Sequence, residues 1–340
     1  MRAIFIALLF FAFAPGRISA AEDPIGPFQG IRLAPQTGWT NSFHLEGASG
    51  NVRLAIAPEV GGRIVHYSLG GENIIFENPA GFGKTLATAR SGFWVGGYQI
   101  DIGPEIRGIP PHDELWRGPW SGGAIRDYSL RLASLTNAAT GIQLEKEITF
   151  DADTGDVGIL HRMRNHGEHE TAYCLWDRTL CRGGGFALIP LTKKSRFPGR
   201  WSVRYKQGDK LYYDGDKPSL PDVKILDNVL VAQCQGEATK LGADSEAGWI
   251  AYTKGKVLFV KYFPTFAKGD YTDGGNSVEL YYDRNVAELE PLSPEIKLLP
   301  YASYEFAEKW VLIDLEEEVI SHEQARKLVK RIPPSPFKRQ

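Results

Sequence analysis

From Asn51 onward, apolar and polar residues alternate with a period near two, in short runs broken by glycine, proline, asparagine and aspartate. Such alternation marks half-buried antiparallel strands, whereas helical apolar positions recur every three to four residues. Strands are predicted over 52–57, 63–69 and 73–77, punctuated by Gly61-Gly62 and Gly70-Gly71. Runs 142–150 and 157–164 flank the turn DADTGD, and 172–180 follows the turn NHGEHE. The run 257–263 precedes YTDGGN, and 277–282, 287–292 and 305–315 follow it. One helix is predicted in SHEQARKLVKRI (321–332), where Ser321 and Gln324 have capping-box spacing and Pro333-Pro334 ends the element. No repeat or polar linker divides the chain, so the pattern predicts an all-β fold, a large antiparallel β-sandwich over 21–318, with a helix and tail over 319–340.

The N-terminus departs from this pattern. Met1-Arg2, an apolar run from 3 to 14, Pro15 and the small residues Ser19-Ala20-Ala21 read as a secretory signal peptide over 1–20. The run is too short to span a bilayer comfortably, so a periplasmic or secreted protein with no membrane partner after cleavage is expected. The net charge of −2 and the lack of any basic stretch argue against nucleic acid or an anionic membrane as partner. Cys174, Cys181 and Cys234 are an odd number, so buried thiols are expected, with a single bridge as the alternative. No C-x-x-C pair supplies a zinc site.

Several motifs point nowhere. NPAGFGKT ends like a phosphate loop, but Asn78 stands where the first glycine is required, and RGGGF (182–186) lacks a following helix. His161, His166 and His169 have H-x4-H-x2-H spacing, but the first sits in a strand and the others in a polar turn, which favours a solvated turn over a metal site. Asp270, Asp273, Asn276 and Asp283 could offer oxygens to calcium, yet turn chemistry explains them without it. No cofactor is expected.

The densest chemistry lies in GGYQIDIGPEIRGIPPHDELWRGPW (96–120), read as a strand over 98–102 running into a proline-stiffened loop. Asp101, Glu105, His112, Trp116, Arg117 and Trp120 supply carboxylates, imidazole, donors and flat apolar faces. Sugars need that mixture, because a ring's C–H face rests on aromatic surface while its hydroxyls require convergent polar partners. The competing reading is that the tryptophans cap the core and the charges are solvated. YCLWDRTL adds Trp176, Asp177 and Arg178, and SVELYYDRNVAELEPLSPEIKLLP adds Glu279, Glu288 and Glu290. Alternation puts Glu288 and Glu290 on one strand face, either a functional face or an ordinary solvated one. Arg63, in the Gly-Gly-Arg turn, completes the candidate binding residues.

The segment APEVGGRIVHYSLGGENIIFEN resembles the first strands of the galactose-mutarotase-like, or aldose 1-epimerase, superfamily. ILHRMRNHGEHETAYCLWD and AELEPLSPEIKLLPYASYEFAEKWVLI are similar to its central hairpin and closing strands, so the likeness runs from about Asn51 to Leu315. It is closest to exported members of undefined function. The resemblance implies a sugar held by two histidines and a glutamate, with a carboxylate removing the 1-hydroxyl proton while an imidazolium protonates the ring oxygen. Glu290 in ELEPL matches the base, and His112 falls near the first, sugar-binding histidine. The second histidine has no match: Trp176 and Asp177 stand in its place. Asp177 could serve as the acid only if burial or a neighbouring carboxylate raised its pKa, and Arg178 beside it works the other way. The turn L-x-P-G-E is altered to LLPYASYE.

The expected function is therefore an exported carbohydrate-binding protein with a sugar or oligosaccharide partner, with or without aldose 1-epimerase activity. Catalysis would fall to His112, Glu290 and Asp177, and binding to Arg63, Asp101, Glu105, Trp116, Arg117, Trp120, Trp176, Arg178 and Glu279. Two alternatives stay open: a polysaccharide lyase or glycoside hydrolase with paired carboxylates such as Asp101/Glu105 or Glu279/Glu290, and a non-catalytic binding or structural module of the envelope.

Overall fold

The computed structural model describes residues 28–89 and 93–340, and the expected signal peptide lies outside them. Two antiparallel sheets, of 13 and 10 strands, pack face to face as the expected sandwich. Six strands of the larger sheet position the candidate residues: β1 (Tyr98–Gly103), β2 (Thr171–Arg182), β3 (Ser202–Gln207), β4 (Thr239–Ala243), β5 (Val278–Tyr282) and β6 (Val286–Pro291). Their order across the sheet is β1-β2-β6-β5-β4-β3.

Register decides which side chains share a face. Trp176 lies opposite Asp101, Thr179 opposite Leu289, Glu290 opposite Glu279, Glu288 opposite Tyr281, and Lys240 opposite Tyr281 on its other side. Because successive side chains alternate, Ile100, Ile102, Leu175, Leu241, Leu280 and Leu289 point to one face. There they join Leu144, Ile148, Ile159, Met163, Phe306 and Trp310 of the second sheet in one apolar core. The opposite face carries Asp101, Trp176, Arg178, Lys240, Glu279, Glu288 and Glu290.

The same parity corrects the expectation for Asp177. Flanked by two cleft-facing residues, it must point into the core. There Lys261 Nζ donates to Asp177 Oδ1 and, at 2.7 Å, to Thr179 Oγ1, and stands 3.5 Å from Glu308 Oε2. His161, placed in a strand by the sequence as it is here, is buried in this network: its Nδ1 donates to Phe306 O at 2.9 Å and its Nε2 accepts from Tyr98. Burial lowers its pKa to about 4, so it is neutral. Lys261 supplies the cation that this cluster of buried acids needs.

Strands Ile142–Phe150 and Val157–Asn165 match their alternating sequences closely. The predicted 73–77 shrinks to Glu72–Asn73, since Ile75 and Glu77 make only isolated bridges. Strands β3 and β4 go unpredicted because Arg204 and Lys240 stand among their few apolar residues and blur the alternation. All three cysteines are free and buried.

The C-terminal helix His322–Lys327 begins at Ser321, whose Oγ accepts from Gln324 N at 3.2 Å, while Gln324 Oε1 accepts from Ile320 N at 2.9 Å. Its Ala325 and the following Leu328 pack on Phe186, Leu188 and Val260, covering the outer face of the second sheet. Ser321→Ala removes the cap and should lower the unfolding free energy by about 1 kcal/mol, read by urea denaturation; an unchanged midpoint would mean that the helix is held by packing alone.

Candidate functional site

The loop after β1 is held from the far side of the cleft. Asp273 accepts from Glu105 N and Ile106 N, both at 2.9 Å, and Asn276 Nδ2 donates to Asp273 O at 2.7 Å. Asp283 Oδ1 likewise accepts from Asn285 N and Val286 N, at 2.6 and 3.0 Å. Three of the oxygen-bearing residues weighed for calcium thus organise backbone. Arg107 ties the loop to Ala172 O at 2.8 Å, and a single helical turn, Asp113–Trp116, interrupts what the sequence reads as continuous loop.

Trp120 and Arg63 hold this segment from beneath. Arg63 is buried and donates to Val60 O, Gly96 O and Trp116 O at 3.3, 2.7 and 3.0 Å. Trp120 donates to Leu115 O at 2.9 Å, with the Lys146 ammonium 4.3 Å from its ring centroid. Neither lines the cleft, which corrects their expected role as sugar contacts. Arg117 also stands behind it, paired with Asp113 at 2.7 Å and stacked 4.1 Å from the Trp116 ring.

The cleft itself has two lobes. One, of about 400 Å³, is lined by Trp94, Glu105, Trp176, Arg178, Arg204, Lys240, Tyr281, Asp283, Glu288 and Glu290. The other, of about 340 Å³, includes Asp101, His112 and Trp116 and shares Glu105, Trp176 and Arg178 with the first. At the junction Arg178 lies between aromatic faces, 4.3 Å from the Trp176 ring and 5.0 Å from Trp116. It donates to Asp101 Oδ2 at 2.6 Å, and His112 Nε2 stands 3.1 Å from Asp101 Oδ1. Burial works to lower the His112 pKa, but the bond and charge of Asp101 outweigh it and raise the imidazole.

Lys240 is the hub of the first lobe. Its ammonium reaches Glu105 Oε2, Glu279 Oε2 and Glu290 Oε2 at 2.9, 3.0 and 2.7 Å. Trp176 Nε1 donates to the same Glu290 oxygen at 2.6 Å, while Glu290 Oε1 has no partner among the described residues. Arg204 also donates to Glu105. Burial works to raise Glu105, but Lys240 and Arg204 prevail and hold it below the usual carboxylate range. Burial raises Glu279 to about 8 despite Lys240, and Glu279, beneath that lysine, does not line the cleft. Burial and the neighbouring Glu290 raise Glu288 to about 7. The glutamates are therefore not a solvated face.

Of the residues selected from sequence, Asp101, Glu105, His112, Trp116, Trp176, Arg178 and Glu290 converge. Arg63, Arg117, Trp120, Asp177 and Glu279 do not reach the cavity. Lys240, Arg204 and Trp94 were not selected. A lysine amid the apolar residues of TKLGA was the available signal for the first of these.

No protein-family model matches the chain, and no curated protein matches it. Solved structures share its fold. A galactose mutarotase-like protein of Clostridium acetobutylicum superposes with a TM-score of 0.56 at 10% identity, over 84% of this chain and 98% of that one. A candidate aldose 1-epimerase of Escherichia coli K12 gives 0.54 at 13% identity, over 81% and 99%. A galactose mutarotase-like protein of Lactobacillus casei ATCC 334 gives 0.54 at 12% identity, over 80% and 100%. The chain has the galactose-mutarotase-like fold.

Proposed function

We propose that this chain is an exported carbohydrate-binding protein of the mutarotase-like type, whose first lobe opens and recloses the ring of a neutral aldose with Glu290 as base. The observation that carries the reading is the state of Glu290, which lines the cavity: one oxygen is held by Trp176 and Lys240, and the other is buried without a partner among the described residues. A carboxylate fixed in that way has one oxygen left for the proton of a sugar 1-hydroxyl. Arg178 and Arg204 add donors for further hydroxyls. Trp94, 39% exposed at the rim, offers the flat apolar face, since Trp176 is only 8% exposed and already covered by Arg178 and Lys240. The three cations of the lobe stand against four acids, Glu105, Asp283, Glu288 and Glu290, which suits a neutral sugar better than a phosphorylated one.

Hydrolysis by paired carboxylates is less well supported: of Glu279 and Glu290 only the second reaches the cavity, and Asp101 and Glu105 are held by Arg178 and His112 and by Arg204 and Lys240. The test is calorimetric titration and exchange NMR with a panel of neutral aldoses and uronates. Binding of at least one aldose with anomer exchange above the spontaneous rate is expected; no binding by any sugar overturns the reading. Trp94→Ala should weaken that binding by about 1 kcal/mol, roughly fivefold, and an unchanged affinity would place the sugar elsewhere.

A further inference from the structure

We infer that Glu288 is the proton donor to the ring oxygen, so that a carboxyl–carboxylate pair on one strand replaces the histidine–glutamate arrangement. The inference rests on the ring-opening reading above. Opening a cyclic hemiacetal requires one group to take the 1-hydroxyl proton and a second to protonate the ring oxygen. Among the described residues no histidine lines the lobe that contains Glu290. His112 belongs to the adjoining lobe, where Asp101 and Pro110 O already engage both its nitrogens.

The other acids of the lobe are occupied. Glu105 is bound by Arg204 and Lys240, and Asp283 accepts from Asn285 N and Val286 N at the turn. Glu288 is half-buried, lines the lobe, and forms no hydrogen bond or ion pair with the described residues. Two positions from Glu290, it projects from the same face of β6, with the Cα atoms roughly 7 Å apart at the usual strand rise. A sugar between two such carboxyls can meet one at its 1-hydroxyl and the other at its ring oxygen.

The surroundings drive the two glutamates toward opposite roles. Glu290 has Lys240 and Trp176 on one oxygen. The groups facing Glu288 are Glu290 on its own strand, Arg178 on β2, Tyr281 and Asp283 on and after β5, Lys240 on β4, Arg204 on β3, and Glu105 on the loop. Burial and Glu290 dominate, raising it to about 7, so a large share of it carries a proton at neutral pH. A carboxyl raised by burial beside a second carboxylate is a general way to place an acid in a site.

In the forward step Glu290 takes the proton from O1, the C1–O1 bond becomes a carbonyl, the bond from C1 to the ring oxygen breaks, and Glu288 gives that oxygen its proton. Rotation about C1–C2 presents the other carbonyl face. On reclosure the hydroxyl returns its proton to Glu288 as it attacks C1, and Glu290 returns the other proton to O1. No net proton or electron is consumed.

The test is Glu288→Gln in the full-length protein, with sugar affinity, anomer exchange and heat stability measured across pH. Wild-type turnover should decline as pH rises through about 7. The variant should lose about 10²-fold in turnover and lose that decline, keep sugar affinity within about threefold, and regain part of its rate in Glu288→Asp. A raised carboxyl favours the folded state at low pH and loses that contribution as pH rises through its folded value. Glu288→Gln should therefore melt like wild type at pH 4 and higher than wild type at pH 9, which also shows that it folds. Turnover within a few-fold of wild type, or an unchanged pH profile, overturns the inference and leaves the ring-opening reading intact. A wild-type protein that binds sugar without accelerating exchange overturns the inference while the binding role stands.

Discussion

Lys240→Met should lower the unfolding free energy by about 3–5 kcal/mol at pH 8, the usual loss when one partner of a buried ionic cluster is removed. Glu279 and Glu290 are fully buried, and Glu105 retains only Arg204 once the ammonium is gone. Methionine fills similar volume, so packing contributes little to the loss. The sign with pH follows from the carboxylates. Without Lys240 nothing opposes the burial that already raises Glu279 to about 8, Glu105 loses one of the two cations that lower it, and groups so raised lose stability as pH increases through their folded values. The deficit should therefore be largest at pH 8 and shrink toward pH 4, where Glu279 binds its proton. Urea unfolding at both pH values measures it. A variant as stable as wild type at pH 8 would mean that the cluster is hydrated enough to tolerate unpaired charge.

Glu290→Gln should leave the fold intact and reduce anomer exchange by about 10²–10⁴-fold, the range for loss of a general base. Glutamine keeps an oxygen for Trp176 Nε1 and Lys240 Nζ but cannot accept the sugar's proton. Affinity for the same sugar should fall far less than turnover, because Arg178, Arg204 and Trp94 remain. Parallel loss of both, with normal circular dichroism, would make Glu290 a binding group and return the protein to the non-catalytic reading.

Much of the fold and part of the cleft are legible in the amino-acid sequence. The alternation in 142–150 and 157–164 specifies strands with one face buried, and the spacing of Glu288 and Glu290 puts both on one side of β6. The crowding of Asp101, Glu105, His112 and Trp116 marks the loop that forms a cleft wall. The motif resemblance pointed to the fold that the solved structures share. Asp177 shows the limit of such reading, since adjacency to Trp176 and Arg178 in sequence means opposition in a strand.

Local periodicity, turn residues and capping chemistry depend on neighbours a few positions apart, so the chain by itself determined its strand-rich character, its C-terminal helix and the pairing of acids along one face. Whether that face met water or became a cavity depended on which strands lay beside it. Strand order brought Lys240 and Arg204 next to Glu105, Glu279 and Glu290 from distant positions, and the loop anchored by Asp273 covered them. Burial and Coulomb interaction act through space, so only the tertiary structure decided that Glu290 is held by Lys240 and Trp176, that Glu288 has no partner among the described residues, and that Asp177 accepts from a lysine in the core.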